Sequence, residues 1–151
     1  MLLPTAGIGY TLKFTGRKSI AQGEALFYSA FSDAFDVSVG DIYQLRFESY
    51  LGNAFGGAAF SSHPNVGLAD RGGNIIRGID GVEIVATLSL RPKGTELLLP
   101  STSLAVETAD GVANFTDLYI MEAGGPYQIS FTATNVSERG FALFHRIMPI
   151  R

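Results

Sequence analysis

The chain has 151 residues, of which 46% are hydrophobic and 17% charged, with a formal net charge of −3 and no cysteine. This composition is typical of a folded globular chain and unlike that of a disordered one. The sequence has no basic run of the kind that binds nucleic acid, no apolar stretch near the ~20 residues that span a bilayer, and no means of forming disulfides or thiolate metal sites.

Apolar residues recur at every second position along most of the chain, as in Tyr127, Ile129 and Phe131. Strict alternation is typical of β-strands that bury one face and expose the other. Glycine-rich turns separate the alternating runs. In chain order, strands are predicted at 10–15, 24–31, 35–39, 42–49, 65–69, 82–90, 96–99, 103–107, 112–120, 126–134 and 141–148, and no helix is expected.

A segment near the beginning of the chain recurs near its end at a constant offset of 117 residues. Residues 6–31 share nine identities with residues 123–148, where average composition gives roughly two by chance. An internal repeat indicates units cut from a tandem array. We expect one complete unit over 35–151, preceded over 1–34 by the last strands of a neighbouring unit, and therefore a piece of a longer array.

Two segments resemble immunoglobulin-like repeats of the filamin and bacterial-adhesin type. Residues 65–74 are similar to the strand, aspartate and Gly-Asn turn of those repeats, and residues 110–134 are similar to their penultimate hairpin and the strand that follows it. The resemblance covers roughly 35–148, with 50–63 departing from it as a glycine-rich connection. It implies an all-β, immunoglobulin-like antiparallel β-sandwich, used in tandem as a structural or adhesive ectodomain or, in filamin, as a cytosolic crosslinker.

The pattern within 112–120 predicts which side chains enter the core. A register change at 116–117 is expected to keep four apolar residues on the buried side, while Val112 and Asn114 point outward. The four core residues are Ala113, Phe115, Leu118 and Ile120. In the turn at 70–74, Asp70 is expected to cap the turn with its own carboxylate.

Two tripeptides fit the acceptor rule for N-linked glycans, at Asn114 and Asn135. Asn135 is expected at a strand end, which is accessible, as is the outward-facing Asn114. The pair favours a secreted, cell-surface context, although such tripeptides also arise by chance.

A second class of site is suggested by three aspartates at the expected domain junction, Asp33, Asp36 and Asp41. Carboxylate oxygens are calcium ligands, so a calcium ion there is one hypothesis for stiffening an array. The alternative is that the three are ordinary solvated turn residues, since no Asp-x-Asp-x-Asp loop is present.

Catalytic patterns are weak. The two histidines, His63 and His145, belong to no metal-binding or triad motif and are expected in a loop and on a strand, so no enzyme is predicted. Phe55 and Phe60, which flank Gly56-Gly57, are expected to be exposed. They are assigned to contact with a neighbouring domain or chain, with stacking on a sugar as the alternative.

The sequence therefore predicts a non-enzymatic structural or adhesive repeat of an extracellular glycoprotein, without a cofactor other than N-linked glycans. Residues 1–34 cannot bury their apolar face alone. We expect them to pair with another copy's strand edge, as in a surface filament built by strand addition, or with a missing part of the same polypeptide. The alternatives are a cytosolic filamin-like crosslinker and a carbohydrate-binding module.

Overall fold

The computed structural model describes residues 5–19, 25–91, 98–99, 104–133 and 145–150, and these segments contain antiparallel strands and no helix. The described part of the chain accordingly has no helix long and apolar enough to cross a membrane. The strands are β1 (Gly7–Tyr10), β2 (Lys13–Ser19), β3 (Ala25–Phe31), β4 (Phe35–Val37), β5 (Gln44–Phe47), β6 (Asn65–Ala69), β7 (Glu83–Leu90), β8 (Leu98–Leu99), β9 (Ala105–Glu107), β10 (Val112–Asn114), β11 (Tyr119–Ile120), β12 (Tyr127–Ala133) and β13 (His145–Ile150).

The contacts within the chain divide it into two units, residues 1–38 and 39–151. In the N-terminal unit, β1 pairs with β4 and β2 pairs with β3. The division falls later than the boundary expected after residue 34, because Phe35 lies opposite Tyr10 in the β1–β4 ladder. The assignment of the two units to successive repeats stays a prediction.

The C-terminal unit contains two main sheets, with the strand orders β10–β6–β5 and β13–β12–β7–β9, and a small β11–β8 pair. Side chains from both main sheets enter one apolar cluster. The ring of Phe131 meets the rings of Phe47 and Phe115 edge-on, with centroids 5.5 and 5.1 Å apart. Edge-on contact is a favoured aromatic geometry, so these rings link the two sheets across the core.

The expected alternation of apolar residues is confirmed along β7 and, apart from the buried Ser130, along β12, whereas β6 is buried on both faces. Along β7, Ile84, Ala86 and Leu88 are buried, while the residues between them are partly or fully exposed. Along β12, Ile129, Phe131 and Ala133 are fully buried. The expected all-β class is therefore correct.

The predicted strand 112–120 is interrupted where the register change was expected. Asp117 has a φ of 57°, and the chain on either side pairs with different strands, β10 with β6 and β11 with β8. The four residues expected in the core are all buried. Asn114 points to solvent as expected.

Val112 is buried, contrary to its expected outward position. It lies opposite Gly67 in the β10–β6 ladder. A Cβ added to Gly67 would come within 2.7 Å of Ile75 Cδ1, so the segment after β6 folds back over this face of the sheet. Alternation alone does not reveal that a connecting segment covers the outer face.

The turn before β10 carries two consecutive residues with positive φ, Asp110 at 52° and Gly111 at 78°. The Gly111 amide donates to Ile79 O at 2.9 Å, and Asp110 Oδ1 accepts from the Gly78 amide at 2.7 Å. A Cβ on Gly111 would collide with the backbone carbonyl of Ile76. Both its φ and this close approach therefore require glycine at position 111.

Candidate interaction surfaces

The β2–β3 hairpin exposes large apolar side chains. Its ladder runs from the pair Lys13–Phe31 to the pair Ser19–Ala25, and every residue of β2 is exposed. Phe14 is 59% exposed, Phe27 68% and Phe31 66%. Phe27 and Phe31 lie on one face of the hairpin and Phe14 on the other, so both faces expose aromatic rings, which is typical of surfaces that contact another protein.

The internal repeat shows what buries such a hairpin. At the 117-residue offset, Leu12 and Phe14 correspond to Ile129 and Phe131, which are fully buried. In the C-terminal unit β12 is held between β13 and β7. Among the described residues β2 pairs with β3 alone, so the edge that corresponds to the β7 side of β12 is open.

A side-chain hydrogen bond is also repeated. The Tyr10 hydroxyl donates to Thr5 O at 3.1 Å, and the Tyr127 hydroxyl donates to Glu122 O at 3.0 Å. In both copies the acceptor lies five residues before the tyrosine. The two copies of the motif therefore share this hydrogen bond as well as their sequence pattern.

The glycine of the repeated Ala-Gly-x-x-Tyr motif packs against this tyrosine. A Cβ on Gly7 would lie 3.1 Å from the Tyr10 ring, and one on Gly124 would lie 3.4 Å from the Tyr127 hydroxyl. The sequence comparison found the motif, but its identities alone do not show that a hydrogen bond and a close approach explain them.

The open edge of β2 is basic, since Lys13, Arg17 and Lys18 all lie on this strand. The Lys13 ammonium lies 5.8 Å from the centre of the Phe31 ring, within the range of a cation–π contact. Lysine and arginine on an edge strand discourage pairing with a second strand of like charge.

A second surface is a cleft of about 210 Å³ in the C-terminal unit. It is lined by Phe55, Phe60, Glu122, Tyr127 and neighbouring backbone. Phe55 is exposed as expected, at 78%, whereas Phe60 is only 3% exposed and belongs to the core. The expectation of exposure was wrong for Phe60, because its amide bonds to Leu118 O and draws the residue under the β11 segment.

Asp70 caps its turn as expected. Its carboxylate accepts hydrogen bonds from the amides of Gly40 and Asn74, at 3.0 and 2.9 Å, and from the Asn74 side chain. Burial raises the pKa of Asp70, but hydrogen bonds from Gly40, Asn74 and Gly72 lower it more, to about 2. This carboxylate therefore has a structural role.

The remaining predicted site residues are not brought together. Asp36 accepts from the Gly9 amide at 2.9 Å, and the described segments contain no group of three or more His, Cys, Asp or Glu side chains placed to share a metal ion, so Asp33, Asp36 and Asp41 form no such group. Asn114 is exposed at the end of β10, and Asn135 lies outside the described residues. The Nδ1 atom of His63 is buried without a hydrogen-bond partner, and His145 lies opposite Thr132.

No protein-family model, curated protein or solved structure matches this chain.

Proposed function

We propose that this chain is a non-enzymatic structural or adhesive repeat of an extracellular tandem-repeat glycoprotein, built on an immunoglobulin-like β-sandwich. The observation that carries the proposal is the sequence match between residues 6–31 and residues 123–148, the last hairpin of the unit that holds the apolar core. Repetition of this kind is typical of tandem-repeat proteins.

The strand order of the C-terminal unit supports the immunoglobulin-like fold. In the seven-strand form of that fold the first, second, fourth and fifth strands form one sheet, and the third, sixth and seventh form the other. Taking β5, β6, β7, β9, β10, β12 and β13 as the seven strands, β5, β6 and β10 share a sheet, while β7, β12 and β13 share the other. The fourth strand is a departure from this pattern, because β9 pairs with β7 and so lies in the second sheet.

The repeated tyrosine supports the same assignment. Many immunoglobulin-like domains carry a tyrosine near the start of the sixth strand whose hydroxyl bonds to the backbone a few residues upstream. Tyr127 is the first residue of β12 and donates to Glu122 O. Tyr10, the last residue of β1, makes the corresponding bond in the N-terminal unit, which supports assigning β2 and β3 as the sixth and seventh strands of a preceding repeat.

The extracellular part of the proposal rests on the glycan acceptor tripeptides, and the exposure of Asn114 is compatible with a glycan there. The test is glycopeptide mass spectrometry on the protein from its native source, looking for hexosamine-containing additions at Asn114 and Asn135. Occupancy at either site supports passage through a secretory pathway. Unmodified asparagine at both sites contradicts the glycoprotein assignment and favours the cytosolic crosslinker or a bacterial adhesin.

A carbohydrate-binding role is the second candidate, and the cleft beside Phe55 favours it. An exposed aromatic ring next to a carboxylate-bearing residue, Glu122, offers both stacking and hydrogen bonding to a sugar. A glycan-array screen of the wild-type chain and Phe55→Ala tests it. Saturable binding that the substitution abolishes supports this role, and an array without any binding rejects it.

A further inference from the structure

We propose that the open edge of β2 receives a β-strand with the sequence pattern of β7, supplied by an immunoglobulin-like repeat that lacks its own last hairpin. This inference rests on the proposed function and names the partner of the N-terminal hairpin. The partner strand alternates apolar residues, carries a small residue at its centre and has an acidic residue near its beginning.

The register of the complete unit specifies the pairing. In the β12–β7 ladder, Phe131 lies opposite Ala86 and Ile129 lies opposite Leu88. Moving the β12 positions back by the repeat offset places Phe14 opposite Ala86 and Leu12 opposite Leu88. The first pair sets a large ring against a small side chain, and the second sets two aliphatic side chains against each other. The corresponding pairs of the buried ladder have the same character.

Charge complementarity favours the same register. The β12–β7 ladder ends with Ala133 opposite Ile84, and one step further along the antiparallel ladder Arg17 of the hairpin would lie opposite Glu83. Opposite charges facing each other across antiparallel strands stabilise the pair. A second β2 strand would instead bring more lysine and arginine to this basic edge, so pairing of two β2 edges is disfavoured.

The β7 strand of a complete unit is not available, because β12 and β9 occupy its two edges. The partner strand therefore belongs to a unit that has not been closed by a sixth strand. In an array, the hairpin over residues 13–31 would supply that sixth strand and the seventh.

The test is binding of a fluorescein-labelled peptide with the sequence of residues 80–91 to the full chain, followed by fluorescence anisotropy. We expect saturable binding, with hydrogen–deuterium exchange protection of the β2 amides. A scrambled peptide should not bind. Absence of binding by the native peptide would overturn the inference.

Two variant series locate the site and the register. Phe14→Lys should abolish binding, while Phe55→Lys, at a more exposed phenylalanine outside the hairpin, should not. The Glu83→Lys peptide should bind roughly threefold to tenfold more weakly, and Arg17→Glu in the chain should restore its affinity. Far-ultraviolet circular dichroism should be unchanged in every variant, since neither phenylalanine lies in the core.

Binding that survives Phe14→Lys, or a charge reversal without rescue, overturns the proposed pairing. These outcomes are independent of the glycopeptide result. Occupied glycan sites without peptide binding leave the extracellular repeat standing and reject this partner, and the reverse result rejects only the glycoprotein assignment.

Discussion

At the scale of single residues, the best-defined polar group is the carboxylate of Asp70. It is only 6% exposed, yet its acceptor capacity is used by backbone and side-chain donors on both sides of the turn. Because these bonds favour the ionised form, the pKa of Asp70 falls from 3.8 to about 2. The turn is thus stabilised by a charge that stays on the protein through most of the acid range.

The consequence for stability can be measured directly. The unfolded chain takes up the proton first as the pH falls, so the contribution of Asp70 is complete above about pH 4 and is lost as the pH falls through about 2. Asp70→Asn should lower the free energy of unfolding by about 2 kcal/mol at pH 7 and flatten its dependence between pH 4 and 2. Urea unfolding across this range tests it, with the exposed Asp41→Asn as the control.

A neutral group, the hydroxyl of Tyr127, is also expected to stabilise the unit. Its ring is buried, and its hydroxyl bonds to Glu122 O. Tyr127→Phe should cost about 1 kcal/mol of unfolding free energy, whereas Tyr50→Phe, at a 65% exposed ring, should cost almost nothing. Equal urea midpoints for the two variants would show that the repeated hydrogen bond does not stabilise the unit.

At the scale of elements, the turn before β10 and the segment bonded to it each contain a glycine with positive φ. Comparing the two separates backbone strain from steric collision. Gly78 and Gly111 both have positive φ, 74° and 78°, but a Cβ on Gly78 meets nothing within 4 Å. Gly78→Ala should therefore cost about 1 to 2 kcal/mol, from backbone strain alone. Gly111→Ala adds a collision with Ile76 O and should cost more than about 3 kcal/mol. Thermal unfolding of both variants gives the comparison, and equal losses would contradict the steric argument.

The positions of the strands were more predictable from the sequence than the segments that pack over them. Alternation located nearly every strand because burial of one face imposes a period of two residues. Alternation placed Val112 outward, and the flanking glycines placed Phe60 in solvent. Neither pattern carries a signal for a connecting segment that folds over a sheet. The repeat likewise did not predict that Phe14 lies opposite Ala30, while Phe131 lies opposite Arg146, which is one residue away in equivalent numbering.

At the scale of the whole molecule, the core belongs to one unit. The buried apolar residues among the described segments run from Ile42 to Ala133. The fragment 39–151 should therefore unfold cooperatively, with a melting temperature within about 3 °C of that of the full chain. Calorimetry of both proteins tests this. A fragment that fails to fold would show that residues 1–38 contribute to the core.

The site was less predictable than the fold at this scale. The sequence indicated that 1–34 cannot close a core, and the exposed β2–β3 hairpin agrees with that reasoning. It did not indicate which edge is open or that this edge is basic, because both depend on the ladder in which β2 lies. The calcium hypothesis for the junction aspartates stays a prediction, because Asp33 and Asp36 belong to one unit and Asp41 to the other.

The Asp110–Gly111 turn also affects the rate at which this aspartate isomerises spontaneously. In an aspartyl-glycyl pair the glycine nitrogen readily attacks the aspartate side chain, giving a succinimide that opens to isoaspartate. Here that nitrogen donates to Ile79 O and the carboxylate is held by the Gly78 amide, so the reacting atoms are kept from the attack geometry. Isomerisation should proceed through the transiently unfolded fraction, which ties the chemical lifetime of the scaffold to its folding equilibrium.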